Sequence, residues 1–243
     1  SITTIFSSLT KNPDASKGAA LNLNLDLSDC AFENTQQPLI PEPIRFITEL
    51  NLSKCSFKSK QLEQFLVQLE NLRCLHTLNL SRCGKNYQGK KTVGECLAVL
   101  CHSLPSLQFL SLGSFCDNAK KESLSAFLES LGQNRSILRL DLTGCKLTDE
   151  DFAKLGEAIS KNNTLRILEF GENKASLKGF TRFLEILNKS ENVIGKLPKK
   201  DVKQFLKGRG KEEDKLKLKL AADESDNRFD NNIKLVVGES VNK

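Results

Sequence analysis

Histidine is scarce in this sequence, with two residues in 243, and methionine is missing altogether. The two histidines leave little material for a proton relay or a nitrogen-rich metal site. His76 lies near Cys74 and His102 follows Cys101, but neither pair has an orienting group or a second pair of zinc-spaced ligands. There is also no glycine-rich phosphate cradle and no G-x-S-x-G. The paired carboxylates fall where helices are expected to begin, and the helix dipole already accounts for them. The acidic stretch "AADESDNRFDNN" (221–232) lacks the Gly and Glu of a calcium loop. No apolar run approaches the roughly 18 residues of a membrane-spanning helix. The opening "SITTIFSSLTKN" lacks the basic and apolar regions of a signal peptide. These absences predict a non-enzymatic chain with no cofactor, no metal and no small-molecule substrate.

What is abundant is leucine in a fixed frame. The segments "LDLSDCAF" (25–32), "LNLSKCSF" (50–57), "LNLSRCGK" (78–85), "LSLGSFCD" (110–117), "LDLTGCKL" (140–147) and "LEFGENKA" (168–175) each begin L-x-[LF]. They recur 25 to 32 residues apart, the signature of a repeat architecture. Alternating leucines mark a short strand with one face inward. The sixth position of the frame carries Cys30, Cys55, Cys83 and Cys145, with Asn173 in the last copy and Phe115 in the fourth. A cysteine or asparagine there suits a small buried slot where the chain leaves the strand. These five polar residues are expected to form a structural ladder, bonding backbone groups of neighbouring repeats.

The other half of each repeat has helical spacing. In "LTDEDFAKLGEAISKNN" (147–163), Thr148 is the expected N-cap, with Asp151 three residues on. Helix ends repeat too, since "LGQNRSILRL" (131–140) aligns with "ISKNNTLRIL" (159–168) and with "LTKN" at 9–12. The chain is therefore expected to enter midway through an earlier repeat. Residues 1–195 are predicted to form the repeat solenoid, truncated on its N-terminal side, and 196–243 a basic C-terminal cap. Within that cap, 201–210 is read as a closing helix, and "KLKLKL" (215–220) as a strand pairing with "IKLVV" (233–237) in a hairpin.

Eight cysteines without a secretory signal predict a reducing, cytoplasmic setting. Net charge is +6, and segment 196–219 alone carries all of it. Two surfaces stand out as candidate binding sites. Residues flanking the strand leucines are expected to face outward on the concave side: Glu49, Asn51, Asn79, Phe109, Arg139, Asp141, Ile167 and Glu169. Their mixed charge with one aromatic suits a protein partner, and the acids argue against nucleic acid, as does the lack of aromatics among the lysines. The loops after the strands carry Lys54, Lys58, Lys60, Arg82, Lys85, Lys90, Lys91, Lys120 and Lys121. Stacked along one edge, they would form a basic ridge able to hold phosphoinositide head groups of an anionic membrane. The third loop is the longest and carries the lone tyrosine, Tyr87, a feature of binding loops.

The frame L-x-L-x-x-[NC] resembles the leucine-rich repeat of the long, ribonuclease-inhibitor-like subclass. That resemblance implies an α/β horseshoe with parallel concave strands and convex helices. The phrases "SSLTKN" (7–12), "LGQNRSILRLDLTGCKL" (131–147) and "ISKNNTLRIL" (159–168) resemble the CARMIL group of actin regulators. In that group a leucine-rich solenoid stands beside lipid-binding and protein-binding segments at the leading-edge membrane. The resemblance implies a cytosolic regulator of actin, recruited to the plasma membrane. The group's capping-protein-binding segment lies outside its solenoid and has no counterpart in this sequence. A purely protein-binding repeat inhibitor, or a bacterial effector without lipid affinity, is the alternative.

Overall fold

The computed structural model describes residues 8, 22–32, 40, 46–84, 87–115 and 124–190, with the backbone of 194–196 and 232–236. Six strands follow one another across one sheet: β1 (Leu23–Asp26), β2 (Ile47–Asn51), β3 (Thr77–Asn79), β4 (Phe109–Ser111), β5 (Arg139–Asp141) and β6 (Ile167–Glu169). All are parallel to their neighbours. From the second strand onward they alternate with helices α1 (Ser59–Gln68), α2 (Val93–Ser103), α3 (Ser125–Gln133), α4 (Asp149–Lys161) and α5 (Leu177–Asn188). This is the α/β, solenoid-like alternation that the repeat frame predicts.

The register explains why three residues suffice for a strand. Leu25, Leu50, Leu78, Leu110, Leu140 and Leu168 stand directly beside one another across the sheet. From Leu50 onward they are almost wholly buried. Side chains alternate across a strand, so one leucine per strand goes into the core while both flanking residues face away from it. Each buried leucine contributes roughly 1.5–3 kcal/mol. The strand leucines join the apolar faces of the helices in one continuous core. Consecutive helices pack side by side, and α2 and α4 are started by the same local device. Thr92 accepts from Glu95 N–H (3.1 Å) and Thr148 from Asp151 N–H (3.4 Å). In both, the acidic side chain accepts in return from the cap's own N–H, closing a capping box. At α1 no threonine is present, and Gln61 supplies only the return half, accepting from Lys58 N–H at 3.2 Å.

The far end of the sheet differs from the hairpin expected for the tail. Strand β7 (Ile194–Lys196) and strand β8 (Asn232–Val236) are both parallel, and the order is β1-β2-β3-β4-β5-β6-β8-β7. Strand β8 sits between β6 and β7, so both its edges are filled. It has no free edge for 215–220, which, like the expected helix 201–210, lies outside the described residues. Leu235 stands beside Leu168 in the leucine row. The sequence carries the reason: "LVVGES" (235–240) repeats "LEFGEN" (168–173), a seventh copy of the frame. Its isolation, 67 residues beyond the sixth, hid it from a search for even spacing.

Candidate interaction surfaces

The turn after each strand is built the same way in every repeat. The fifth frame position, occupied by Asp29, Lys54, Arg82, Ser114, Gly144 and Glu172, has a φ between 53° and 67° throughout. This left-handed conformation reverses the chain and favours glycine, yet only one of the six is glycine. The turns stack through backbone bonds: Asp29 N–H donates to Ser53 O (2.8 Å), Lys54 N–H to Ser81 O (2.7 Å) and Arg82 N–H to Gly113 O (3.0 Å). Lys54 and Arg82 therefore occupy adjacent turns.

Behind the turns runs a line of side-chain bonds. Cys55 Sγ donates to Leu27 O (3.0 Å), Cys83 Sγ to Leu52 O (2.7 Å) and Cys145 Sγ to Leu112 O (3.0 Å). Asn173 Nδ2 donates to Leu142 O at 3.0 Å, and its Oδ1 accepts from Leu147 N–H. Each side chain reaches the third frame residue of the preceding repeat. Cys30, in the first described repeat, is half-buried, and its own carbonyl accepts from Ser56 N–H. Phe115 fills the slot in the fourth repeat without a donor. It fits because residue 84 is glycine, where a Cβ would stand 2.6 Å from the Phe115 ring. Burial pushes the Cys145 and Cys101 thiols up to about 12, and Cys83 is raised by its hydrogen bond to Cys55 and by burial. Such thiols stay protonated at neutral pH, which leaves those of Cys83 and Cys145 as donors. Among the described residues no group of His, Cys, Asp or Glu gathers to hold a metal ion.

A second ladder escaped the sequence reading. Asn134 and Asn162, buried at the ends of α3 and α4, hold consecutive helix ends together. Asn162 Nδ2 donates to Leu131 O (2.8 Å) and Asn134 O (3.1 Å), and its Oδ1 accepts from the N–H groups of Thr164 and Leu165. Asn134 likewise donates to Cys101 O and accepts from Ser136 and Ile137. The signal was the aligned "QN" and "KN" of the matching helix ends.

Of the nine candidate cations on the loop edge, Lys85, Lys120 and Lys121 lie outside the described residues. The other six gather on the second and third repeats and are exposed. Lys54 and Arg82 sit in the stacked turns. Lys58 and Lys60 lie at the start of α1, and Lys90 and Lys91 immediately precede the α2 cap. The turn column is not uniformly basic, since Asp29 and Glu172 occupy the same position at its two ends. Tyr87 departs from the binding-loop expectation: it is 3% exposed. Its hydroxyl donates to Glu63 on α1 and meets Cys96 Sγ on α2 at 3.3 Å, tying the long loop inward. Burial and these partners raise its pKa well above the usual range for tyrosine.

On the open face of the sheet the outward residues form two rows. Asn24, Glu49, Thr77, Phe109, Arg139 and Ile167 stand in one, and Asp26, Asn51, Asn79, Ser111, Asp141 and Glu169 in the other. Several candidates are already engaged. Asn51, Asn79 and Asp141 each accept the N–H two residues on, from Ser53, Ser81 and Thr143, at 2.9–3.0 Å, setting up the left-handed turn. Arg139 donates through Nε (2.9 Å) and Nη2 (2.5 Å) to Glu169 Oε1. Glu49 is exposed, Ile167 half-buried, and Phe109 40% exposed. Two shallow depressions mark this face. One, of about 290 Å³, lies around Phe109, Arg139, Asp141 and Glu169, and the other, of about 360 Å³, around Asp26, Glu49, Asn51 and Asn79. Among the described residues, no helix is long and apolar enough to cross a membrane.

No family model matches the chain. It is 28% identical, in a 202-position alignment that covers 77% of this chain, to human "Capping protein, Arp2/3 and myosin-I linker protein 3", and to the same degree to the rat and mouse proteins of that name. The match spans 14% of each of those proteins. A crystal structure of a Bacteroides fragilis protein superposes with a TM-score of 0.44 at 17% identity, over 61% of this chain and 40% of that one.

Proposed function

We propose that this chain is a non-enzymatic, cytoplasmic adaptor that regulates the actin cytoskeleton at membranes. In this reading the open face of the sheet, the inside of a horseshoe, binds a protein partner. The basic edge of the second and third repeats binds acidic phosphoinositides and recruits the chain to the plasma membrane. The observation that carries the actin assignment is the 28% identity to proteins named as linkers of capping protein, Arp2/3 and myosin-I. The lipid assignment is supported by Lys54, Lys58, Lys60, Arg82, Lys90 and Lys91 converging on two neighbouring repeats. Near an anionic surface each such cation contributes about 1 kcal/mol.

The test is co-sedimentation with phosphatidylcholine vesicles, with and without phosphorylated phosphoinositides, at low and moderate salt. The comparison variant carries Lys54→Glu, Lys58→Glu, Arg82→Glu and Lys91→Glu. Selective binding, weakened at least tenfold in the variant, is the expected result. A chain that stays in the supernatant with every vesicle removes the lipid half of the reading. The interruption of the turn column by Asp29 and Glu172 favours the second reading in that event, a purely protein-binding solenoid.

A further inference from the structure

Over strands β1 to β6 the open face is not electrically balanced. Its two outward rows there carry four carboxylates, Asp26, Glu49, Asp141 and Glu169, against one guanidinium, while Lys234 on β8 and Lys196 on β7 continue the Arg139 row beyond β6. That guanidinium, Arg139, is already committed to Glu169. Asp26 accepts from Ser28 N–H (2.8 Å) and Asn51 Nδ2 (3.2 Å), and these bonds hold its carboxyl below the usual range. Asp141 accepts from Ser111 Oγ (2.8 Å) and Thr143 N–H. These donors are neutral, so neither carboxylate is ion-paired by them, and Glu49 is exposed. Between the acids, on β4, stands Phe109, which with Val67 makes up the exposed large hydrophobics among the described residues.

From this arrangement we infer that the open face recognises an extended basic segment of a partner protein, with an apolar anchor for Phe109 between two cations. The inference rests on the reading of this face as a protein-binding surface and names the partner's chemistry. Neighbouring strands lie about 4.8 Å apart and an extended chain advances about 3.3 Å per residue. Glu49 on β2 is two strands from Phe109 and Asp141 on β5 is one strand away. A segment crossing the strands therefore places one Lys or Arg about three residues from its anchor on one side. The second cation falls one or two residues from the anchor on the other. Asp26 extends the acidic end for a further cation. The anchor enters the depression beside Phe109, where apolar contact excludes water and strengthens the flanking ion pairs.

The test is selection from an unbiased displayed peptide library against the full chain. Binding of the selected, dye-labelled peptides to three variants is then measured by fluorescence anisotropy. Glu49→Gln with Asp141→Asn removes charge and keeps the acceptor that caps the β5 turn, Phe109→Ser removes the anchor, and Val67→Ser controls for general stickiness. The expected peptides carry Lys or Arg on both sides of an apolar residue. Their affinity falls about five- to tenfold in the double variant, falls in Phe109→Ser, and stays unchanged in Val67→Ser. Peptides sensitive to Phe109→Ser but insensitive to the charge removal, or lacking flanking cations, overturn the inference and leave the protein-binding reading standing. If no selected peptide responds to either substitution, that reading of the face falls as well. A dimer formed through this face, seen as a second sedimenting species abolished by Phe109→Ser, also overturns the inference.

Discussion

At the scale of single residues, the cysteines are explained by hydrogen bonding rather than reactivity. A thiol is a weak donor, but Cys55, Cys83 and Cys145 each aim it at a carbonyl left at a strand end in the neighbouring repeat. Asn173 makes the same bond and adds an acceptor for Leu147 N–H, which is why the two residue types alternate in one slot. The raised thiol values carry a pH consequence. Cys101 and Cys145 are pushed from 9.0 up to about 12 by burial. Between those values the unfolded chain releases protons that the folded chain keeps, so stability is intact below pH 9 and is lost as pH rises toward 12. The slope is about 1.4 kcal/mol per pH unit for each thiol. Urea denaturation between pH 7.5 and 10.5 checks it. Cys145→Ala is expected to cost about 1–3 kcal/mol at pH 7.5, by removing the thiol donor to Leu112 O and emptying a buried slot, and to make the decline above pH 9 shallower.

At the scale of elements, several strand–helix junctions are held by side chains bonding backbone. Strand-to-helix turns use the Asx side chains of Asp26, Asn51, Asn79 and Asp141. The last two helix-to-strand turns use Asn134 and Asn162. In the earlier repeats Leu72 and Leu104 stand at the equivalent place and are buried, so the slot accepts either an apolar side chain or a fully bonded amide. Asn162→Ala strands two N–H groups and takes a donor from two carbonyls at once, and is expected to cost about 2–4 kcal/mol. Asn163→Ala, at an exposed neighbouring position, is expected to fall within about 0.5 kcal/mol of the parent. Chemical denaturation midpoints separate the two. The same logic changes the reading of the open face: Asn51, Asn79 and Asp141 first shape turns, and only then contribute polarity to a partner.

At the scale of the molecule, each repeat touches its neighbours and little else, so perturbations spread by one repeat at a time. Strand β8 covers the outer edge of β6 although more than 60 residues separate them in sequence. Ending the chain before Asn232 uncovers that edge. Backbone amides of 165–170 are expected to exchange about tenfold faster or more in the shortened chain, with those of 77–79 unchanged. Mass-spectrometric hydrogen exchange reads both segments in one experiment. Equal protection of 165–170 in the two chains would show that β8 contributes nothing to the stability of the sheet. The charge distribution also belongs to this scale: the net +6 resides in 196–219, whereas the open face is acidic over β1 to β6 and the loop edge of the second and third repeats basic.

Periodicity alone determined the repeat, its strand and helix halves, the leucines that enter the core and the Thr148 cap. Each depends on contacts within a few residues or on a pattern repeated in register. What lay between repeats was decided only in three dimensions. No local rule marks Asn134 and Asn162 as buried, because their partners lie 28 to 33 residues away. Nor does one mark Tyr87 as a core residue, since Glu63 and Cys96 come from two different helices. The placement of β8 between β6 and β7 joins segments far apart in sequence, which the spacing of the first six copies does not contain. The pairing of Arg139 with Glu169 leaves Asp26, Glu49 and Asp141 as the remaining charged groups of the open face over β1 to β6. That pairing joins adjacent strands 30 residues apart, and only their register brings the two side chains together.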